Sequence, residues 1–216
     1  VISTRALACR YPGGVQLAFP DVNVPQGGTL VLRGPSGSGK SSWLALAAGL
    51  MAPASGEIVV AGQCLGALGP VQRDAWRARH VGFLPQRLYL SEALTVADNL
   101  ALVYYAAGLP VDRAAVQAAL RTLGVDGLAA RRPAALSGGQ AQRVALARTV
   151  LLAPRVILAD EPTASLDDAA AQDALALLQA AAQRHDATLV IATHDARVVQ
   201  ALPQAQQLAL QAGGGS

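Results

Sequence analysis

The segment Gly34-Pro35-Ser36-Gly37-Ser38-Gly39-Lys40-Ser41 fits the pattern G-x-x-x-x-G-K-[ST], with Ser42 directly behind it. Glycines at this spacing let successive backbone amides turn toward an anion. The lysine ammonium then reaches terminal phosphates, and the following hydroxyl is offered to Mg²⁺. The choice of cation is informative: of 17 basic residues Lys40 is the one lysine, and the other 16 are arginines. A guanidinium is a planar fork suited to clamping an anion from one side, whereas an ammonium on a flexible stem can lie along a triphosphate. Lys40 therefore reads as a nucleotide contact. A plain Gly/Ser turn carrying a lysine is the alternative, and the strand-like run Thr29 to Arg33 before the loop, with the helical composition of Ser41 to Leu50 after it, argues against that.

Two further segments carry chemistry. Arg155-Val156-Ile157-Leu158-Ala159-Asp160-Glu161-Pro162 is an apolar run ending in two carboxylates. This places Asp160 at the carboxyl edge of a sheet, where open α/β folds hold ligands. Asp160 can support Mg²⁺ beside Ser41, and Glu161 is free to orient or deprotonate a water. An acidic turn after a buried strand is the simpler alternative. Leu136-Ser137-Gly138-Gly139-Gln140 precedes a helical stretch. Its hydroxyl and consecutive glycine amides make a second anion site at the positive end of a helix, although an ordinary helix-starting turn has the same composition.

The elements that must position these groups follow from patterning. Short apolar runs alternate with alanine-rich helical stretches, which indicates an α/β fold with a mainly parallel sheet. Core strands are expected at Leu30 to Arg33, Arg155 to Asp160 and Thr188 to Thr193. An antiparallel β region is expected at Ile2 to Ala8 and Val15 to Val24, with turns at Pro12-Gly13-Gly14 and Pro25-Gln26-Gly27-Gly28. Helices over Thr95 to Ala107, Asp112 to Leu123 and Gly139 to Leu152, the second capped by Asp112, suggest a helical lobe inserted at about 95–153. Residues 1–212 are read as one domain and 213–216, Gly-Gly-Gly-Ser, as a flexible tail.

Composition narrows the class. A chain of 216 residues can bury a core large enough for an enzyme. Although 52% of residues are apolar, no uninterrupted run reaches membrane-spanning length, and no export signal is visible at the N-terminus. Net charge is +3 with the arginines scattered, so nucleic acid is not expected as a partner. Cys9 and Cys64 match no metal spacing and read as buried free thiols of a reducing compartment. The cluster Arg73, Trp76, Arg77, Arg79 reads as a solvated helix face rather than a partner site.

With these three motifs in this order, the sequence resembles the ATP-binding subunits of ABC transporters over nearly its whole length. LSGGQ at 136–140 is that family's signature segment. The resemblance implies a P-loop ATPase that binds ATP with Mg²⁺ and pairs head to tail with a second ATPase subunit, expected to be another copy of the chain. ATP would lie between the phosphate loop of one copy and Ser137, Gly138, Gly139 and Gln140 of the other. It further implies that Tyr11 stacks on adenine, Gln86 contacts Mg²⁺ and senses the membrane partner, and Ser165-Leu166-Asp167 forms the D-loop. His194 becomes the switch histidine that works with Glu161. Read singly, Tyr11 fits a cover for the core edge, Gln86 a solvated strand end and His194 a core histidine. The segment Leu90 to Leu100 looks like that of the lipoprotein-release and macrolide-export subgroup. The implied protein powers a separate membrane permease and sits in the cytoplasm against the inner face of the membrane. An ATPase that signals mechanically to a membrane partner without transport shares all of these residues.

Overall fold

The computed structural model describes residues 2–11, 16–164 and 166–211. The expected turn at residues 12–14, the start of the second β segment at Val15, Ser165 and the tail lie outside the described residues. In chain order the first elements are β1 (Ile2–Arg10), β2 (Gln16–Ala18), β3 (Asn23–Val24), β4 (Thr29–Arg33), α1 (Lys40–Ala47), β5 (Ser55–Val60), β6 (Gln63–Cys64), α2 (Pro70–His80) and β7 (Val81–Leu84). They continue with α3 (Val96–Ala107), α4 (Arg113–Thr122), α5 (Gly138–Val150), β8 (Val156–Asp160), α6 (Asp168–Arg184), β9 (Thr188–Thr193), α7 (Ala196–Ala201) and β10 (Gln206–Ala209).

Two sheets result. Each has five strands: one is antiparallel, in the order β2-β1-β5-β6 with β3 paired on β1, and the other is parallel throughout, in the order β10-β4-β9-β8-β7. The two faces of the parallel sheet serve different cores because successive side chains point to opposite sides. Leu30 and Leu32 of β4, Leu158 of β8 and Val190 of β9 pack with Trp43 and Leu44 of α1 against Ile2, Leu7, Ile58 and Val60 of the antiparallel sheet. Val31, Ile157 and Ile191 face the other way, onto Leu100 of α3, Leu120 of α4, Val144 of α5 and Leu175 of α6. Helix α1 is thus held between the sheets, while the helical segment 96–150 shares a continuous core with the opposite face.

Local chemistry explains the element ends. Thr95 caps α3 by accepting from the Asp98 amide and returning its hydroxyl proton to the Asp98 carboxylate, and Gly108 closes the helix in the left-handed conformation. Asp112 caps α4 as expected. The turn at 25–28 closes through the Gly28 amide on the Pro25 carbonyl, with Gly27 at φ 72.

Several elements depart from the sequence reading. Within the second expected β segment, residues 16–24 form two short strands, Gln16–Ala18 and Asn23–Val24, and Pro20 between them cannot donate to a ladder. Trp76 does not sit on a solvated face: it is 9% exposed and packs in the core below α1. Cys9 is buried, but Cys64 is only half-buried. Among the described residues no helix is long and apolar enough to cross a membrane.

Candidate functional site

The parallel order of β7, β8, β9 and β4 sets the site. Ladder partners Arg33 and Thr193, Asp160 and Ala192, and Leu84 and Ala159 bring the carboxyl ends of four adjacent strands to one edge. From that edge emerge the glycine-rich segment 34–41 after β4, His194 after β9, Asp160 and Glu161 at the end of β8, and Gln86 after β7. Each functional segment is thus placed by a strand, as ligands at the carboxyl edge of an open sheet require. The result is a cleft of about 430 Å³ lined by Tyr11, Pro35, Ser36, Gly37, Gly39, Lys40, Ser41, Ser42, Gln86, Asp160, Glu161 and His194.

The loop is shaped for an anion. Gly39 caps α1 with φ 91, a conformation that disfavours any side chain, and a Cβ there would press on Leu17 and Phe19. A Cβ on Gly34 would meet the Ser38 hydroxyl and the Leu210 carbonyl, so the loop closes tightly at its base. The first turn of α1 holds no acidic side chain, which leaves its positive end uncompensated. The Ser38 Oγ is buried with no hydrogen-bond partner among the described residues. Lys40, 7% exposed, donates to the carbonyls of Gly34 (2.8 Å) and Pro35 (3.1 Å) and lies 3.7 Å from Glu161 Oε1. The Tyr11 hydroxyl meets the Ser42 hydroxyl, with the ring 36% exposed at the cleft mouth.

The two carboxylates differ in setting. Burial pushes the Asp160 carboxyl above its ordinary range, a hydrogen bond from Ser41 opposes this, adjacent Glu161 adds to it, and the Lys40 charge lowers it again. A carboxylate with that balance, beside a serine hydroxyl, is a donor set that fits a hard divalent cation completed by phosphate oxygens. Glu161 stands at φ 48, a left-handed conformation uncommon outside glycine, held by its amide on the Ala192 carbonyl at 2.8 Å. Its Oε2 accepts from the Thr193 hydroxyl (2.8 Å) and the His194 amide (3.4 Å), and its Oε1 lies 2.8 Å from His194 Nδ1. A carboxylate only accepts, so Nδ1 carries the proton and Nε2 is left facing outward from the pair.

The signature segment is elsewhere. Ser137 caps α5, accepting from the Gln140 amide at 3.3 Å while its own amide donates to Gln140 Oε1 at 3.0 Å. Gly138 and Gly139 open that helix, with space around each. Asp167 caps α6 through the Ala170 amide. None of these lines the cleft of its own chain. Gln142, one turn further along α5, donates to the Pro162 carbonyl at 2.5 Å and so ties this helix to the residue after Glu161.

A family model described as ABC transporter matches residues 19–164. The chain belongs to the ABC transporter family. Among relatives of this ABC chain, the lipoprotein-releasing system ATP-binding protein LolD of Anaeromyxobacter dehalogenans is 41% identical over 184 residues, covering 82% of the chain and 76% of the relative. LolD of Psychrobacter arcticus is 38% identical, covering 87% and 84%. The macrolide export ATP-binding/permease protein MacB of Rhodopirellula baltica is 38% identical over 82% of the chain, which spans only 26% of that relative. These are the lipoprotein-release and macrolide-export proteins that the segment 90–100 resembles. The dimeric post-hydrolysis structure of an ATP-binding cassette bound to ADP and Pi superposes with a TM-score of 0.86 at 27% identity, covering 99% of this chain and 95% of that one.

Sequence reasoning overlooked several groups of this ABC cassette. Thr193 holds Glu161, and its hydroxyl also accepts from the Asp195 amide at 3.0 Å. Asp195 is held in turn by Thr163 and Arg197, and the Arg197 guanidinium keeps its carboxyl well below the usual range. The tripeptide Thr193-His194-Asp195 at a strand end was the available signal.

Proposed function

We propose that this chain is an ATPase subunit that binds MgATP in the cleft at the carboxyl edge of the parallel sheet and hydrolyses it. The observation that carries this reading is the convergence of Lys40, Ser41, Asp160, Glu161 and His194 on one cleft. The amides of Pro35 to Ser42 and the Lys40 ammonium bind the phosphates, and the Tyr11 ring covers the base. Ser41, Asp160 and Gln86 are the groups that would hold Mg²⁺, which neutralises charge developing on the phosphate oxygens. Glu161 orients and deprotonates the attacking water. His194 steadies Glu161 through Nδ1 and presents Nε2 toward the phosphate. Little covalent work falls to the protein; positioning and charge stabilisation supply the rate.

Ser137 to Gln140 and Asp167 lie outside the cleft, which supports a second copy of the chain supplying them to the nucleotide head to tail. The name ATP-binding/permease protein of one relative supports a membrane permease as the driven partner, and a place at the cytoplasmic face of the membrane follows from that reading. We further infer one domain over 1–212 with the helical lobe at about 95–153. Glu161→Gln keeps the shape of the side chain and removes the base, so turnover should fall by roughly 10² to 10⁴. Since ATP would then bridge two copies without release, light scattering after size exclusion should show a dimer in MgATP and a monomer without it. A variant that stays monomeric in saturating MgATP, or turns over like wild type, refutes the assignment.

A further inference from the structure

Among the described residues, Arg197 makes more side-chain hydrogen bonds than any other arginine. Its Nε and Nη2 donate to the Asp195 carboxylate at 3.0 and 2.8 Å, and its Nη1 donates to the Leu166 carbonyl at 3.2 Å and to Asp168 Oδ1 at 2.7 Å. Asp195 also accepts from the Thr163 hydroxyl at 2.7 Å, and Thr163 is fully buried two residues beyond Glu161. The cap on α7 accounts for the short-range contact between Arg197 and Asp195. It does not account for Nη1 reaching back to a carbonyl 31 residues away in sequence. One planar fork thereby joins the segment 166–168, which leads into α6, to the loop that carries His194, a span across the width of a guanidinium that the single point of a lysine ammonium does not cover.

We propose that Arg197 is a positioning residue for hydrolysis, clamping residues 166–168 to the 193–195 loop so that Asp167, His194 and Glu161 are held as one unit. This rests on the ATPase reading above. The path is continuous: Glu161 to the Thr193 hydroxyl, the Thr193 hydroxyl to the Asp195 amide, the Asp195 carboxylate to Arg197, and Arg197 to Leu166 and Asp168. The Asp168 end is 86% exposed and contributes little to stability, so geometry rather than ion-pair strength is what the clamp supplies.

The test compares wild type, Arg197→Ala and Arg197→Lys by steady-state ATP hydrolysis and by amide hydrogen exchange of the nucleotide-free chain. Among the described residues no hydrogen bond joins Arg197 to the phosphate loop or Tyr11, so kcat should fall about tenfold in both variants with KM for ATP within about twofold, the signature of lost alignment rather than lost binding. Amides of 163–168 and 193–195 should exchange faster in both. Wild-type kcat in Arg197→Ala, a KM rise that accounts for the loss, or full rescue by lysine would overturn the proposal, and so would unchanged exchange in both segments. Wild type that hydrolyses no ATP removes the ATPase reading instead, while the exchange arm still decides whether the clamp exists.

Discussion

Replacing Thr193 by valine isolates the orientation of Glu161 from its charge. Thr193 is 1% exposed, and valine matches its shape, so the perturbation is the loss of one hydroxyl. That hydroxyl donates to Glu161 Oε2 at 2.8 Å and accepts from the Asp195 amide at 3.0 Å. A hydrogen bond to a charged group is worth about 1.5–3 kcal/mol, and the half-buried Asp195 amide left without its acceptor adds a further cost of up to about 1 kcal/mol. The sum, about 2–4 kcal/mol, corresponds to a fall in melting temperature of roughly 5–15 °C for a domain of this size. Catalytically, Glu161 keeps His194 but loses its closest donor on Oε2, and misplacement of a reacting group by about 1 Å costs up to about 10² in rate. Coupled-enzyme measurement of ATP turnover should give kcat reduced tenfold to a hundredfold with KM little changed. Thr193→Ser, which keeps the hydroxyl and loses a methyl worth about 0.8 kcal/mol, should recover most of the rate. Wild-type kcat in the valine variant would show that Thr193 does not aim Glu161, and equal losses in valine and serine variants would show that packing matters rather than the hydroxyl.

Three other substitutions probe separate parts of the site. Lys40→Ala should weaken ATP binding and abolish turnover, with retained melting behaviour in the absence of nucleotide checking the fold; unchanged affinity by calorimetry contradicts the assignment. Ser137→Arg should stop hydrolysis yet leave ATP binding by the single chain intact, with about 1 kcal/mol lost from the α5 cap, read by turnover beside nucleotide titration. Gly39→Ala places a side chain at φ 91 against Leu17 and should cost about 1–2 kcal/mol in thermal unfolding and reduce nucleotide affinity; an unchanged melting curve refutes the strain argument.

Legibility in the sequence followed burial and contact range. Strands β4, β8 and β9 are buried on both faces and read as apolar runs, and the Asp112 cap is local, so both announced themselves. Strand β10, Gln206–Ala209, was silent because its exposed residues lack alternation and its pairing to β4 is made across more than 170 residues. Trp76 was misread because arginines surround it in sequence, while α2 turns that one ring inward. The motifs gave the cleft's lining, since each chemical segment directly follows a strand. Thr193, Thr163 and Arg197 escaped because their partners lie about 30 residues off, where no spacing rule reaches.

Lys40 donates to the carbonyls of its own loop and lies beside Glu161. On the proposed reading, arrival of a phosphate would be an exchange: the ammonium would trade an internal set of oxygens for an external one, and Gly34 and Pro35 would give up a donor. The loop would then act as a latch, with nucleotide replacing the keeper. Because the chain has one lysine, this latch can be read chemically: an acylating reagent should modify Lys40 more slowly than a free lysine amine before nucleotide is added. In the proposed ATPase, an ammonium drawn from Glu161 to phosphate would leave Oε1 with its histidine partner, so binding the substrate would also change the charge around the group that acts on it.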